Sequence, residues 1–247
     1  MKTQPIQNAF TVDVEDYFQV SGFERDIRRE DWANYPSRVE ANTRRILELL
    51  AKHDVQGTFF VLGWTAERFP HLVKEIYAAG HEIGSHSYWH RLVYKQTPEE
   101  FRKDLCRSRD VLADITGKPV TAYRAPSFSI TRKSLWALDI LASEGFTTDS
   151  SVFPIYHHRC GIPGAPRHPY EVETASGPIQ EFPASVARIS KANVPISGGG
   201  YFRLLPYRVT TPLLAKVNRR LNEPFMFYTH PWEIDPRQPR IPARLTT

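Results

Sequence analysis

GTFFVLGWTAERFPHLVKEIYAAGHEIGSHSYWH, residues 57–90, is the stretch on which the fold is decided. Its opening, Gly57–Leu62, is apolar, β-branched and aromatic, the composition of a buried strand. Pro70–Ala79 has helical spacing and ends at Gly80, a residue that commonly stops a helix. His81–Gly84 reads as a second short strand. A strand, a helix and a further strand in this order predict a parallel βα crossover.

Outward from this unit the pattern repeats. Ala9–Val14 is a short strand candidate that turns from apolar to acidic. Ser37 and Glu40 have the spacing of a capping box, followed by Val39, Ile46, Leu49 and Leu50 at helical intervals. Downstream, Thr97-Pro98-Glu99-Glu100 is a second capping box with Pro at the first helical position. Phe101, Leu105, Leu112 and Ile115 then share one face, and Gly117 ends that helix. Val120–Tyr123 and Phe146–Thr148 are strand-like, with Thr131–Ser143 helical between them. Alternation of this kind predicts an irregular or incomplete (β/α) barrel, whose chemistry sits on the loops after the strands.

From about Val152 the texture changes. Pro154–Pro169 is rich in Pro, His, Arg and Gly and reads as a long loop. Gly177–Ala184, the run Gly198-Gly199-Gly200, a helix near Tyr207–Leu221 and a last strand Phe225–Thr229 follow. The 247 residues suit a single domain, 1–247, with a distinct C-terminal portion from about 152 to 247. The closing PRQPRIPARLTT carries no capped element, which leaves the natural domain open to continue past it.

Composition narrows the function classes. Hydrophobic residues make up 41% and charged residues 24% of the chain, so a packed core is expected. The net charge of +5 is mild and its positives are scattered, unlike the dense basic stripe of a nucleic-acid binder. Cys106 and Cys160 form no CxxC pair, which excludes a zinc knuckle or a thioredoxin-like motif. The N-terminus lacks the apolar core of a signal peptide, and no apolar run reaches the length of a membrane span. The expectation is a cytoplasmic protein, with room for weak attraction to an anionic membrane face or polymer.

Five polar clusters follow five strand candidates. His86 and His90 in HSYWH stand four residues apart, which on a helical turn lets two imidazoles grip one metal ion; alone, the pair is equally two surface histidines. Asp13 and Glu15 share a face of the first strand and can supply one ligand and one free general base, or form a solvated acidic turn with Asp16. Arg124 can orient a carboxylate or be an ordinary surface arginine. Asp149-Ser150-Ser151 is a polar cluster or a helix cap. His230, after an apolar strand, is catalytic or structural. Their common position at strand ends puts all five on one rim.

In this order the motifs resemble the NodB-type polysaccharide deacetylases of carbohydrate esterase family four. Gly57–His90 is similar to that family's strand, helix and GHEIGxHxxxH sequence. TVDVEDYF, YRAPSFSI, DSSVFP, SGGGYFRLLP and YTHPWEIDP resemble a subgroup from exosortase (PEP-CTERM) exopolysaccharide loci that carries a C-terminal extension. The resemblance implies an incomplete (β/α) barrel of the NodB deacetylase type. It also implies a hydrolase that releases acetate from N-acetylated sugars of a polysaccharide or its lipid-linked precursor. His86 and His90 would bind a divalent ion, zinc being the first expectation, with Glu15 as third ligand on strand geometry and Asp16 as the alternative. Asp13 would be the base, Arg124 would hold it, and His230 would be the general acid, oriented by Asp149. Ser127, where the family often has Tyr, would contribute its backbone N–H to the oxyanion. Partners would be the glycan and, peripherally, a membrane-bound assembly system at the inner face of the membrane. The alternatives are a cyclic amide hydrolase like allantoinase and a non-catalytic polysaccharide-binding protein.

Overall fold

A computed structural model describes residues 6–157, 159–190 and 192–241. The chain runs through β1 (Ala9–Val14), α1 (Val39–Lys52), β2 (Thr58–Val61), α2 (Gly63–Arg68), α3 (Pro70–Ala78), β3 (Glu82–Ser85), α4 (Pro98–Thr116), β4 (Ala122–Tyr123), α5 (Trp136–Ser143) and β5 (Thr148–Asp149). It continues with β6 (Tyr170–Thr174), β7 (Gly177–Glu181), β8 (Val186–Ile189), β9 (Ala192–Pro195), α6 (Gly199–Leu204), α7 (Tyr207–Lys216) and β10 (Met226–Thr229).

Eight strands form one curled sheet in the order β10-β1-β2-β3-β4-β5-β7-β6, and β8 pairs with β9 in a separate hairpin. Every pairing from β10 to β7 is parallel, and β6 alone returns antiparallel against β7. The edge strands β10 and β6 do not meet, so the barrel stays open, the incomplete (β/α) barrel that the sequence predicts.

Register decides what faces where. Val14, Val61, Ser85, Tyr123, Asp149 and Glu181 are successive partners across the sheet. In-register neighbours point to the same face and the next residue to the other. Val12, Val14, Phe59, Val61, Ile83 and Tyr123 belong to the main core with Ile46, Leu72, Phe101, Leu105 and Leu138 from the surrounding helices. Burying each such side chain contributes about 1.5–3 kcal/mol. The opposite set, which includes Thr11, Asp13, Phe60, Met226 and Tyr228, lines the concave side. Gly84 lies beside Phe60 there, and a Cβ on it would come within 2.6 Å of the Phe60 ring.

The Thr97–Glu100 capping box forms as expected, with Thr97 Oγ1 accepting from the Glu100 N–H and Glu100 Oε2 from the Thr97 N–H. The Ser37–Glu40 box does not form. Asp16 caps α1 in its place, accepting from the Arg38 and Val39 N–H groups, while Ser37 donates its hydroxyl to the same carboxylate. Glu40 turns outward to Arg44 and His71. Thr131–Ser134 is a side-chain-stabilised turn rather than helix, since Ser134 Oγ accepts from the Thr131 N–H and α5 starts only at Trp136. The helix near Tyr207–Leu221 is α-helical to Lys216 and continues as a π turn. Cys106 and Cys160 are free thiols.

Candidate active site

The functional side chains sit at or one step past the C-terminal ends of the strands. Asp13 and Glu15 come from β1, His86 and His90 from the loop after β3, Arg124 from the end of β4 and His230 from the end of β10. Asp13, Glu15, His86, His90 and Arg124 are all buried. Five buried ionisable groups in one place require mutual pairing or a bound ion.

HSYWH is not a helical turn. It is an irregular loop in which Ser87 (φ +66°) and His90 (φ +51°) adopt left-handed backbone. Strained backbone of this kind persists only where the surroundings fix it. Here Asp104 on α4 accepts from the Tyr88 N–H at 2.7 Å and the Trp89 N–H at 3.1 Å. The Ser87 and Tyr88 carbonyls accept from the first N–H groups of α2. The two imidazoles thereby converge, with ring centroids 5.3 Å apart.

Glu15, His86 and His90 each offer one ligand atom, all within 4.8 Å of one another. Their surroundings suit a cation. His86 Nδ1 lies 2.8 Å from the Arg124 carbonyl, to which it donates as Nδ1–H, leaving the Nε2 lone pair free. His90 Nδ1 lies 3.4 Å from Ser21 Oγ, and its Nε2 stands 2.7 Å from Glu15 Oε2. Beyond His90, that buried Glu15 oxygen has no partner among the described residues. Burial pushes the His86 pKa down to about 4, which keeps the ring neutral as a ligand must be. Burial works to raise the pKa of Glu15, but His90, His230 and His86 outweigh it and hold the carboxyl at about 2. One carboxylate and two imidazoles are a donor set for zinc and similar divalent ions. Asp16 faces away into the α1 cap, so the Glu15 alternative is the one whose geometry reaches the two histidines.

Asp13 stays outside this cluster. Arg124, fully buried, donates from Nη1 to Asp13 Oδ1 at 2.7 Å and to Thr11 Oγ1 at 2.7 Å. Its remaining donors reach the Ser150 carbonyl and Ser150 Oγ, and its guanidinium lies 4.2 Å from the Phe60 ring centre. Burial acts to raise the Asp13 pKa, yet Arg124, His86 and His230 lower it on balance. Asp13 is thus ionised, oriented, and has its second oxygen turned toward His230, 3.8 Å from Nε2.

His230 is held from its own strand end. Glu233 Oε2 lies 3.2 Å from Nδ1 and also accepts from the His230 N–H and Thr229 Oγ1. Trp232 stacks on the imidazole at 4.7 Å and donates from its indole to Glu15 Oε1. Burial opposes the charged ring, but Glu233, Glu15 and Asp13 raise its pKa to about 9. Asp149 does not orient His230. Register puts Asp149 on the face of Tyr123 and Val14, opposite to Asp13 and His230, and its carboxyl meets Ser151 and Glu181 there.

Asp13, Glu15, His90, Ser127, His230 and Trp232 line one cleft of about 250 Å³. Ser127 has left-handed backbone (φ +54°), and its hydroxyl is engaged with Ser21 Oγ at 2.8 Å, so the side chain is occupied. A larger depression of about 460 Å³ lies on the outside between α4 and α5, away from the strand ends, and carries none of this chemistry. Sequence reading missed Ser21, Asp104, Trp232 and Glu233. The last had a signal: His-Pro-Trp-Glu has the spacing of a helix start with Pro first and an acid closing the turn.

An open (β/α) barrel with a His/His/carboxylate cluster beside a free aspartate defines a class of hydrolase scaffolds. Residues 32–146 match the family model described as polysaccharide deacetylase, and residues 150–247 match a domain of unknown function (DUF3473). The peptidoglycan-N-acetylglucosamine deacetylase of Bacillus cereus is 32% identical over 120 residues, 44% of this chain and 44% of the relative. The peptidoglycan deacetylase of Helicobacter pylori is 32% identical over 126 residues, 49% of this chain and 42% of the relative. The matched part of the chain thus spans less than half the length of these two relatives. A crystal structure of a Mycobacterium smegmatis protein assigned to the polysaccharide deacetylases superposes with a TM-score of 0.67 at 25% identity, covering 94% of this chain and 80% of that one. Residues 32–146 are thus similar to polysaccharide deacetylases, and the open barrel is shared with the Mycobacterium smegmatis structure.

Proposed function

We propose that this chain removes N-acetyl groups from amino sugars of a polysaccharide or its lipid-linked precursor and releases acetate. The observation that carries the reading is the Glu15–His86–His90 cluster next to an Asp13 that Arg124 holds ionised. Glu15, His86 and His90 would hold a divalent ion, zinc first. Such an ion would supply a Lewis acid, able to bring the pKa of a water to roughly 7.

The residues divide the remaining work. Asp13 accepts a proton from the attacking water, whose oxygen forms the new bond to the acetamide carbon. The Ser127 N–H donates to the carbonyl oxygen as it gains charge, a contact of a kind worth roughly 3–4 kcal/mol. His230, protonated at neutral pH, gives its proton to the amide nitrogen as the C–N bond breaks. Acetate and a free amino sugar leave, and Asp13 and His230 return to their starting states by exchange with solvent. Arg124, Asp104 and Glu233 position these groups. Among the described residues no helix is long and apolar enough to cross a membrane. We place the enzyme in the cytoplasm, working at the inner face of the membrane beside a polysaccharide assembly system.

The test is acetate release from a panel of N-acetylated oligosaccharides, with and without chelator. Asp13→Asn should keep its metal and lose turnover by about 10²–10⁴-fold, the usual contribution of a general base. Glu15→Ala should lose bound zinc, and Asp16→Ala should keep it. Near-normal turnover in Asp13→Asn, or ring opening of cyclic amides without acetate release, overturns the assignment.

A further inference from the structure

A second depression adjoins the catalytic cleft. It measures about 290 Å³ and is lined by Tyr94, Arg132, Lys133, His157, Arg159 and Cys160, among others. His157 and Cys160 also line the catalytic cleft, so the two share a wall. Its charges are of one sign, since no Asp or Glu lines it among the described residues. Several surface arginines meet carboxylates, as at Arg29–Glu24, Arg44–Glu75 and Arg109–Glu144. Among the described residues the guanidinium groups of Arg132 and Arg159 donate to backbone carbonyls, those of Pro163 and Ser21. Among the described residues neither of them, nor Lys133, has a carboxylate within ion-pair distance.

Unpaired cations crowded around one hollow repel each other, and an anion placed there relieves that repulsion. Arg159 also ties the hollow to the chemistry. It holds the Ser21 carbonyl, and Ser21 Oγ contacts both His90 Nδ1 and Ser127 Oγ. An anion seated on Arg132, Lys133 and Arg159 therefore lies beside whatever sugar occupies the catalytic cleft.

We propose that this basic hollow binds an oxyanion carried by the substrate itself, a phosphate ester or a uronate carboxylate adjacent to the N-acetyl sugar. The substrate is thus an acidic glycan rather than a neutral one. The proposal deepens the deacetylase reading and rests on it. Arginine and lysine suit both anions, since each presents several N–H donors to a small oxyanion.

Calorimetry on the metal-replete chain tests it with three probes of equal length. These are a neutral N-acetylglucosamine oligosaccharide, the same sugar ending in a 1-phosphate, and one alternating N-acetylglucosamine with a uronate. At low salt at least one acidic probe should bind about tenfold tighter than the neutral one, and added salt should narrow the gap. Preference for the phosphate alone or the uronate alone identifies the anion's source. In a double variant, Arg132→Gln with Lys133→Gln, the ratio of acidic to neutral affinity should fall close to one. Should that variant fold poorly, the salt dependence of the unmodified protein reads the same site. Equal binding of all three probes, or a preference that survives both substitutions, overturns the proposal. Acetate is measured in the same samples. A charge preference abolished by the substitutions, with acetate released from no probe, keeps the anion site and sinks the deacetylase reading. Acetate release without charge preference does the reverse.

Discussion

The sheet before Asp149 and the sheet after it are built and used differently. From β1 to β5 each strand lies beside the one that precedes it in sequence, and helices cross between most of them. This region supplies Asp13, Glu15, His86, His90 and Arg124, a buried cluster whose parts are fixed by neighbouring backbone. After Asp149 the chain adds β7 and β6 at one edge and, much later, β10 at the other. That region brings His230, Glu233 and Trp232 over the cluster, and its Arg159 joins Arg132 and Lys133 of the first region around the cationic hollow. The first half gathers the groups that could hold an ion; the second sets His230, Glu233 and Trp232 beside them. Activity should therefore be most sensitive to charge inside the first half and more gradually sensitive in the second.

The sharpest way to break this division is Arg124→Met. Met fills much of the space over Phe60 but leaves Asp13 buried without its partner. Removing one member of a buried ion pair costs about 3–5 kcal/mol, or forces the survivor to take up a proton. Urea unfolding should show the loss, and turnover should fall with it because a protonated Asp13 is no base. A cost below about 1 kcal/mol would show that the first half is open to water and does not depend on this pair.

Glu233→Gln probes the second half more gently. It preserves the side chain's shape while removing the charge beside His230. Turnover should fall about tenfold to a hundredfold with KM little changed, part of the roughly 10²–10⁴ that a general acid supplies. Asp149→Asn is the matching control. Steady-state kinetics that show the larger drop for Asp149→Asn would return the orienting role to Asp149 and remove it from Glu233.

Legibility in the sequence follows the same divide. β1 lies where its passage from apolar to acidic places it, and Gly57–His90 contains β2, α3 and β3 within a residue or two of expectation. Long apolar runs with glycine stops carry their structure locally. The HSYWH loop was misread because His-x3-His spacing fits a helix, whereas tertiary ties from Asp104 and α2 bend it otherwise. Asp149 was paired with His230 because motif order ignores which face a strand residue takes. Beyond Val152 Phe225–Thr229 reads as β10, whereas β6, β8 and β9, four or five residues long, lack the continuous apolar run that makes the equally short β2 legible. β6, Tyr170-Glu171-Val172-Glu173-Thr174, does alternate, but it follows directly on a run rich in Pro and Arg. α2 was missed for its length, at six residues.

The seam between the two regions offers the mildest and most specific test. Asp149 on β5 and Glu181 on β7 are register partners, both fully buried, and their carboxyls are neighbours. Burial raises both pKa values, and for Glu181 the neighbouring Asp149 raises it further, well above the ordinary range. Two facing carboxylates cannot both ionise cheaply, so one proton is shared between them. A group whose pKa is higher in the folded than in the unfolded chain stabilises the fold most below its unfolded pKa, here near 4. That contribution shrinks as pH climbs through the folded value. Glu181→Gln replaces the shared proton with an amide N–H that needs none. Unfolding measured from pH 5 to pH 9 should therefore show a flatter decline for the variant than for the parent chain on the alkaline side. Parallel curves would mean that the seam carries no shared proton, and that the two halves meet through an ionised pair instead.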